Sequence, residues 1–312
     1  MEILLQVGLL VLGFVMLIKG ADWFVDGASG IASKLGVPQL VVGLTIVAMG
    51  TSLPEAAVSV TAALDGNAGI TVGNVVGSNI LNILIILGIT GVITAVAVQK
   101  STIRYEIPFM LVITILTIVL GMSGNSISRV EGIILWIFFI AYLTYLFVLA
   151  KKGNQSEEEA PNKDAKVWKL ILGLVAGLVI VVWGSNIAVD AATALAKIIG
   201  LSDRFIGLTI VALGTSLPEL VTSVTAARKG NADIAIGNIV GSNIFNILFV
   251  IGTSALIIPV AFEPNFVIDT LIALAAGILL WVSVAKSKKL TRPWGIVMLL
   301  GYAAYFVYLI MQ

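Results

Sequence analysis

Two glutamates stand inside long apolar runs: Glu55 in GLTIVAMGTSLPEAAVSV and Glu219 in GLTIVALGTSLPELVTSV. An ionisable group at membrane depth costs at least a few kcal/mol and usually faces a partner or a pathway. No Lys, Arg or His shares these runs near either glutamate. A carboxylate so placed needs a proton or a bound cation. Residues four apart share a helix face, which puts Thr51 and Ser59 beside Glu55, and Thr215 and Ser223 beside Glu219. Pro54 and Pro218 cannot donate to the carbonyls of Gly50 and Gly214, so each GTSLPE segment is expected to kink and free backbone oxygens. Such backbone is tolerated at membrane depth where it lines a protein cavity. The next runs, GNVVGSNILN and GNIVGSNIFN, place Ser78 with Asn82 and Ser242 with Asn246 on one face. In the same runs Gly73 and Gly77, and Gly237 and Gly241, allow close helix approach. The whole set is oxygen, which suits a hard cation such as Ca²⁺ or Na⁺ rather than a soft metal. Two ionised glutamates carry −2, matching one Ca²⁺ or partly offsetting several Na⁺. Mutually exclusive occupancy by different cations would be antiport. The bland alternatives are a glutamate held protonated by neighbouring helices, and Thr and Ser acting only as packing glue. Two copies in register at interrupted helices are hard to explain by packing.

These residues need a membrane-spanning scaffold, and composition supplies one. Of 312 residues, 59% are hydrophobic and 11% charged, against about 25% charged in a soluble domain; the mean hydropathy is +1.10. This excludes a water-soluble enzyme, a nucleic-acid-binding module and a disordered chain. The net charge of +1 points to no polyanionic partner. The absence of Cys and His removes thiol chemistry, the commonest metal ligand and the usual proton shuttle. No nucleophile–base pair or phosphate loop is evident, so the chain reads as no enzyme and needs no cofactor. The expected partners are the lipid bilayer and the cations themselves, with no obligate protein partner.

A span needs roughly 20 apolar residues. Ten are expected, near 3–22, 38–63, 70–96, 107–122 and 130–149, then 168–190, 204–227, 234–259, 266–285 and 294–311. The first reads as a span rather than a secretory signal, because KGADWFVDGA after it has no clear A-x-A site. Residues 151–166, KKGNQSEEEAPNKDAK, read as a hydrated linker between a first repeat over 1–150 and a second over 167–312. With both termini outside the cell membrane, 14 of the 18 Lys and Arg fall in inner segments and three, Arg129, Lys197 and Arg204, in outer ones. That bias places the linker in the cytoplasm. Asp22 and Asp26, one turn apart near the inner end of the first span, are read as hydrated helix-end acids, with a cation-attracting portal as the alternative.

Residues 43–84 and 207–248 align at a constant offset of 164 with 31 identities in 42 positions. Pro, Glu and Asn recur in register, which low-complexity drift does not produce. Five spans per copy is an odd number, so the second copy must enter the membrane from the opposite side. Two inverted copies are a secondary-transporter architecture, and the expected fold is all-α and polytopic, ten helices as two inverted five-helix repeats. A channel is disfavoured, since channel filters usually sit on an axis along the membrane normal.

GTSLPE followed by GNVVGSNILN, twice, resembles the α-repeats of the cation/Ca²⁺ antiporter superfamily, and within it the prokaryotic sodium/calcium exchangers. The resemblance implies ten transmembrane helices, Na⁺ for Ca²⁺ exchange and alternating access, with the first and sixth helices, here about 3–22 and 168–190, sliding over the rest. It implies that Glu55 and Glu219 coordinate Ca²⁺ with the backbone carbonyls of Thr51 and Thr215. The Na⁺ sites would add Ala48, Thr51, Ser52 and Ser78, and symmetrically Ala212, Thr215, Ser216 and Ser242, with Asn82 and Asn246 at the centre. Related exchangers often carry Asp at the second central position, and potassium-dependent members use Asp for K⁺. Asn at both positions argues against K⁺ cotransport and bears on the number of Na⁺ bound. The same glutamates, taking protons in place of Na⁺, would make an H⁺/Ca²⁺ antiporter. The hydroxyl-rich GTS segments favour Na⁺, because protons need no oxygen cage.

Overall fold

The computed structural model describes residues 2–152, 166–200 and 212–311. It is helical almost throughout. We number its helices in chain order as α1 Glu2–Leu35, α2 Gln39–Thr51, α3 Leu53–Leu64, α4 Gly69–Ile93, α5 Thr102–Gly124 and α6 Arg129–Lys152. The second half holds α7 Val167–Ile198, α8 Ala212–Thr215, α9 Leu217–Arg228, α10 Ala232–Ile257, α11 Pro264–Ala285 and α12 Arg292–Met311. Among the described residues, seven helices are long and apolar enough to cross a membrane, and the bent pair α2–α3 makes an eighth.

The expected first span grows from 3–22 to a 34-residue helix, about 51 Å long at 1.5 Å per residue. Nothing stops it before Gly36, which adopts φ +63°, and Pro38. The sixth expected span likewise runs to Ile198 as a 32-residue helix. The second expected span is not continuous: it breaks at Ser52 and its limbs differ in direction by 50°. Of the seventh expected span, 204–227, residues 204–211 and Arg204 lie outside the described residues, as do residues 207–211 of the second motif copy and linker residues 153–165 with their acidic run at 157–159.

Burial sorts the helices into a core and a rim. In the most apolar stretch of each, α10 is 94% buried and α4 72%, whereas α1 is 17% and α7 28% buried. The polar motifs therefore lie at the centre, and the two longest helices lie outside it. α1 and α7 pack antiparallel along glycines spaced seven apart. A Cβ on Gly13 would stand 2.8 Å from Gly184 O, on Gly20 2.9 Å from Gly177 O, and on Gly27 2.7 Å from Leu170 O. Only glycine permits backbones this close. Their outer faces expose Leu4, Val11, Val15, Val175 and Trp183, as a lipid-facing surface does.

Two antiparallel two-residue bridges tie the halves together: Val96–Ala97 pairs with Lys289–Leu290, and Ser126–Ile127 with Val260–Ala261. Each bridge joins a strand of one half to a strand of the other. Among the described residues, four stretches wind as π-helix: Gly43–Val47, Asn82–Leu87, Thr102–Glu106 and Asn246–Ile251. Such turns are rare and concentrate at functional sites. The second and fourth begin at the same motif position, Asn82 and Asn246.

Candidate cation site

The site grows from two helix breaks. Ser52 N–H still donates to Ala48 O at 3.1 Å, and Ala56 N–H takes up again on Ser52 O at 3.1 Å. Between them Pro54 contributes no donor, so Gly50 O receives no bond of the usual helical kind from four residues on. Pro is comfortable here because it stands in the first turn of α3. Pro218 does the same for α9. The expected kink is therefore a full helix restart. Each restart puts a glutamate, Glu55 or Glu219, in the first turn of a new helix, where the positive end of the helix dipole favours a negative charge.

The two restarts meet. Ser52 Oγ donates to Glu219 Oε1 at 2.8 Å, and Ser216 Oγ to Glu55 Oε1 at 3.3 Å. Each glutamate is thus held by a serine from the other half. Both glutamates are 1% exposed, and the second oxygen of each, Oε2, is buried with no hydrogen-bond partner among the described residues. Oδ1 of Asn82 and of Asn246 share that condition. Leaving a buried acceptor unpaired costs about 1–3 kcal/mol, a cost that a bound group ligated by these oxygens would relieve.

The other expected residues divide. Thr51 is buried, and its hydroxyl lies 2.9 Å from Asn238 Oδ1 and 3.1 Å from Val47 O. Its side chain is spent on protein acceptors, which leaves its backbone carbonyl for the role the sequence suggested. Thr215, its counterpart, is only partly buried. A cavity of about 240 Å³ lined by Leu81, Ile85, Leu213, Leu220 and Tyr302 reaches Ser216. Ser242 Oγ donates to Ala48 O at 3.3 Å. That contact exists because Gly237 and Gly241 let α10 sit against α2, where a Cβ on Gly241 would lie 2.7 Å from Leu44 O. For the other glycine pair, the positions matching Gly43 and Leu44 are residues 207 and 208, which lie outside the described residues. Among the described residues, a Cβ on Gly73 meets only Phe266 at 3.5 Å, and one on Gly77 meets nothing within 4 Å. Ser78 is buried beside Asn79 and Asn82. Ala212 opens α8.

Ser59 and Ser223 were expected on the glutamate face. Each lies on that buried face and accepts a 2.9 Å hydrogen bond from an asparagine amide, Asn74 or Asn238. The same amides reach Glu55 O at 3.1 Å and Glu219 O at 3.3 Å, bracing the first turn of each restarted helix. Sequence reasoning passed over Asn74 and Asn238, and also Asn79 and Asn243, which bond to Asn246 and Asn82. All four sit in the repeated GN…GSN pattern, so their recurrence at the 164-residue offset was the available signal. Asp22 and Asp26 are not simply hydrated helix-end acids. Lys229 Nζ lies 3.2 Å from Asp22 Oδ1 and 2.9 Å from Asp26 Oδ1.

Comparison with known proteins gives the chain a family. The sequence model of the family described as "Sodium/calcium exchanger protein" matches residues 5–148 and 169–311. The chain is 38% identical over 303 residues to the "Putative antiporter CaxA" of Alkalimonas amylolytica, covering 94% of this chain and 95% of that protein. It is 33% identical over 343 residues to the sodium/calcium exchanger MaX1 of Methanosarcina acetivorans, covering 96% and 97%. Among solved structures, the sodium-calcium exchanger NCX_Mj soaked with 10 mM Na⁺ and no Ca²⁺ superposes with a TM-score of 0.84 at 34% identity, covering 98% of this chain and 99% of that one. These relatives are transporters, not enzymes, and their matches run through both halves of the chain. The protein is a multi-pass membrane protein of the sodium/calcium exchanger family, whose members work as cation antiporters.

Proposed function

We propose that this protein exchanges Na⁺ for Ca²⁺ across the cell membrane by alternating access, the two cations competing for Glu55 and Glu219. The observation that carries the reading is the pair of buried carboxylates, each serine-bonded from the opposite half and each keeping one oxygen unpartnered. Their combined charge of −2 balances one Ca²⁺. The backbone carbonyls of Thr51 and Thr215 complete the Ca²⁺ site. Ala48, Ser52 and Ser78, with Ala212, Ser216 and Ser242, add the oxygens for Na⁺, and Asn82 and Asn246 lie between the two sets. The names of MaX1 and NCX_Mj, both sodium/calcium exchangers, support Na⁺ as the coupling ion.

The proposed architecture is ten spans in two inverted five-helix repeats, 1–150 and 167–312, with both termini outside and the 151–166 linker in the cytoplasm. Support comes from the odd number of spans per copy, from the 14-to-3 distribution of Lys and Arg, and from the reciprocal contacts between halves. If residue i of one half meets j of the other and j′ meets i′, the halves are related by a local two-fold. Ser52–Glu219 with Ser216–Glu55 and the two strand bridges have that form.

Uptake of radioactive Ca²⁺ into proteoliposomes tests the function. One set is loaded with Na⁺, one with choline at equal pH, and one carries only a pH gradient. The expected result is uptake that requires internal Na⁺ and is lost in Glu55→Gln and in Glu219→Gln. Uptake driven by the pH gradient alone would reassign the coupling ion to H⁺.

A further inference from the structure

Four asparagines at the junction of α4 and α10 form a closed, reciprocal network. Asn79 Nδ2 donates to Asn243 O, and Asn243 Nδ2 to Asn79 O, both at 3.3 Å. Asn82 Nδ2 donates to Asn243 Oδ1 at 2.9 Å, and Asn246 Nδ2 to Asn79 Oδ1 at 3.1 Å. All four side chains are buried.

The orientation of an amide is decided by its hydrogen-bond network, and here that network is anchored. A backbone carbonyl can only accept. Asn79 O therefore fixes which end of the Asn243 amide is nitrogen. The remaining oxygen of Asn243 can then only accept, which draws the nitrogen of Asn82 toward it. The oxygen of Asn82 is left pointing away, buried and unpartnered. The same steps run from Asn243 O through Asn79 to the free oxygen of Asn246. A flipped Asn82 would face Asn243 with oxygen against oxygen and present an N–H pair where a cation needs a lone pair.

We propose that Asn79 and Asn243 are positioning residues for cation selection, holding the amide oxygens of Asn82 and Asn246 toward the ions. They need not touch an ion themselves. This rests on the reading above, in which Asn82 and Asn246 are ligands. It explains how neutral asparagines serve where a carboxylate, with oxygen on both sides, would need no orienting.

The test compares half-saturating Na⁺ and Ca²⁺ in proteoliposomes for Asn82→Leu, Asn243→Leu, Asn82→Asp and the double variant Asn82→Asp/Asn243→Leu, each checked for monodispersity and thermal stability. Losing the oriented oxygen should raise half-saturating Na⁺ roughly five-fold or more in both Leu variants, the scale of one hydrogen bond. In the Asn82→Asp background, Asn243→Leu should add no further shift, since a carboxylate offers oxygen whichever way it turns. An Asn243→Leu shift that persists undiminished in that background would make Asn243 merely structural and overturn the proposal. So would Asn243→Leu leaving half-saturating Na⁺ unchanged while Asn82→Leu raises it. If Asn82→Leu itself changes neither cation's half-saturation, the assignment of Asn82 as a ligand fails first. Should Asn243→Leu not fold, Asn79→Leu asks the same question through Asn246.

Discussion

The hydroxyl of Ser52 donates to the carboxylate of Glu219, 167 residues away in sequence, at 2.8 Å, and not to Glu55 three residues along its own chain. Ser216 and Glu55 repeat the exchange at 3.3 Å. A cation bound at the proposed site would meet oxygens from both halves at once, so a movement of one half against the other would alter its coordination.

Each of these serines is expected to matter to the opposite glutamate. Ser52→Ala and Ser216→Ala each remove a donor to a buried carboxylate, worth about 1.5–3 kcal/mol for a charged partner. Both should raise half-saturating Ca²⁺ at least ten-fold, on the order of 1.4 kcal/mol. In a double-mutant cycle, Ser52→Ala should couple to Glu219→Gln and be additive with Glu55→Gln. Ca²⁺ half-saturation is measured for the two Ser variants, and the cycle with the transport-inactive Gln variants is read by thermal unfolding.

Protons and cations seek the same carboxylate oxygens. On the proposed function, cation binding to Glu55 and Glu219 would displace any proton there, so lowering the pH should raise half-saturating Ca²⁺, and excess Ca²⁺ should restore the rate. A rate at saturating Ca²⁺ that still falls with pH would place the titrating step elsewhere. The check is a Ca²⁺ saturation series at stepped pH with equal pH on both sides of the vesicle.

The contact of α1 with α7 should be intolerant at Gly20 and tolerant at Gly173. A Cβ on Gly20 would stand 2.8 Å from Val181 N and 2.9 Å from Gly177 O, both backbone. Gly20→Ala should cost about 1–3 kcal/mol through overpacking. At Gly173 the nearest atom is Trp23 O at 3.5 Å, an ordinary contact, and Gly173→Ala should stay within about 0.5 kcal/mol of the parent. Thermal unfolding in one detergent compares the two.

Lys229, just beyond α9, binds Asp22 and Asp26 of α1. The positions 164 residues removed are Asp65, Asn186 and Asp190, which cannot form such a pair. The attraction therefore joins the two halves at one place with no counterpart at the matching positions. The chain has no cysteine, so Asp26→Cys with Lys229→Cys supplies a clean pair of thiols. A short reducible cross-linker between them should stop Ca²⁺ uptake, and reduction should restore it. Undiminished uptake in the cross-linked protein would mean that α1 keeps its place against α9 throughout the cycle.

Membrane character, the repeat and the two glutamates are all legible in the sequence, because each is a local property. Apolar runs of span length, identities at a constant offset and carboxylates without cationic neighbours need no folded chain to be seen. Helical periodicity also placed Thr51, Glu55 and Ser59 on one face. It could not say that Thr51 turns to Asn238 and Ser59 to Asn74, since a shared face does not name a partner. Pro54 and Pro218 announced a kink but not a full helix restart, and the π turns at Asn82 and Asn246 were invisible, because hydropathy is an average and does not register a shift in hydrogen-bond phase. Only the tertiary structure decided that each glutamate accepts a hydrogen bond from the other half and that Asn82 and Asn246 bond to Asn243 and Asn79. Those contacts join residues more than 160 positions apart, and packing, not sequence spacing, brings them together.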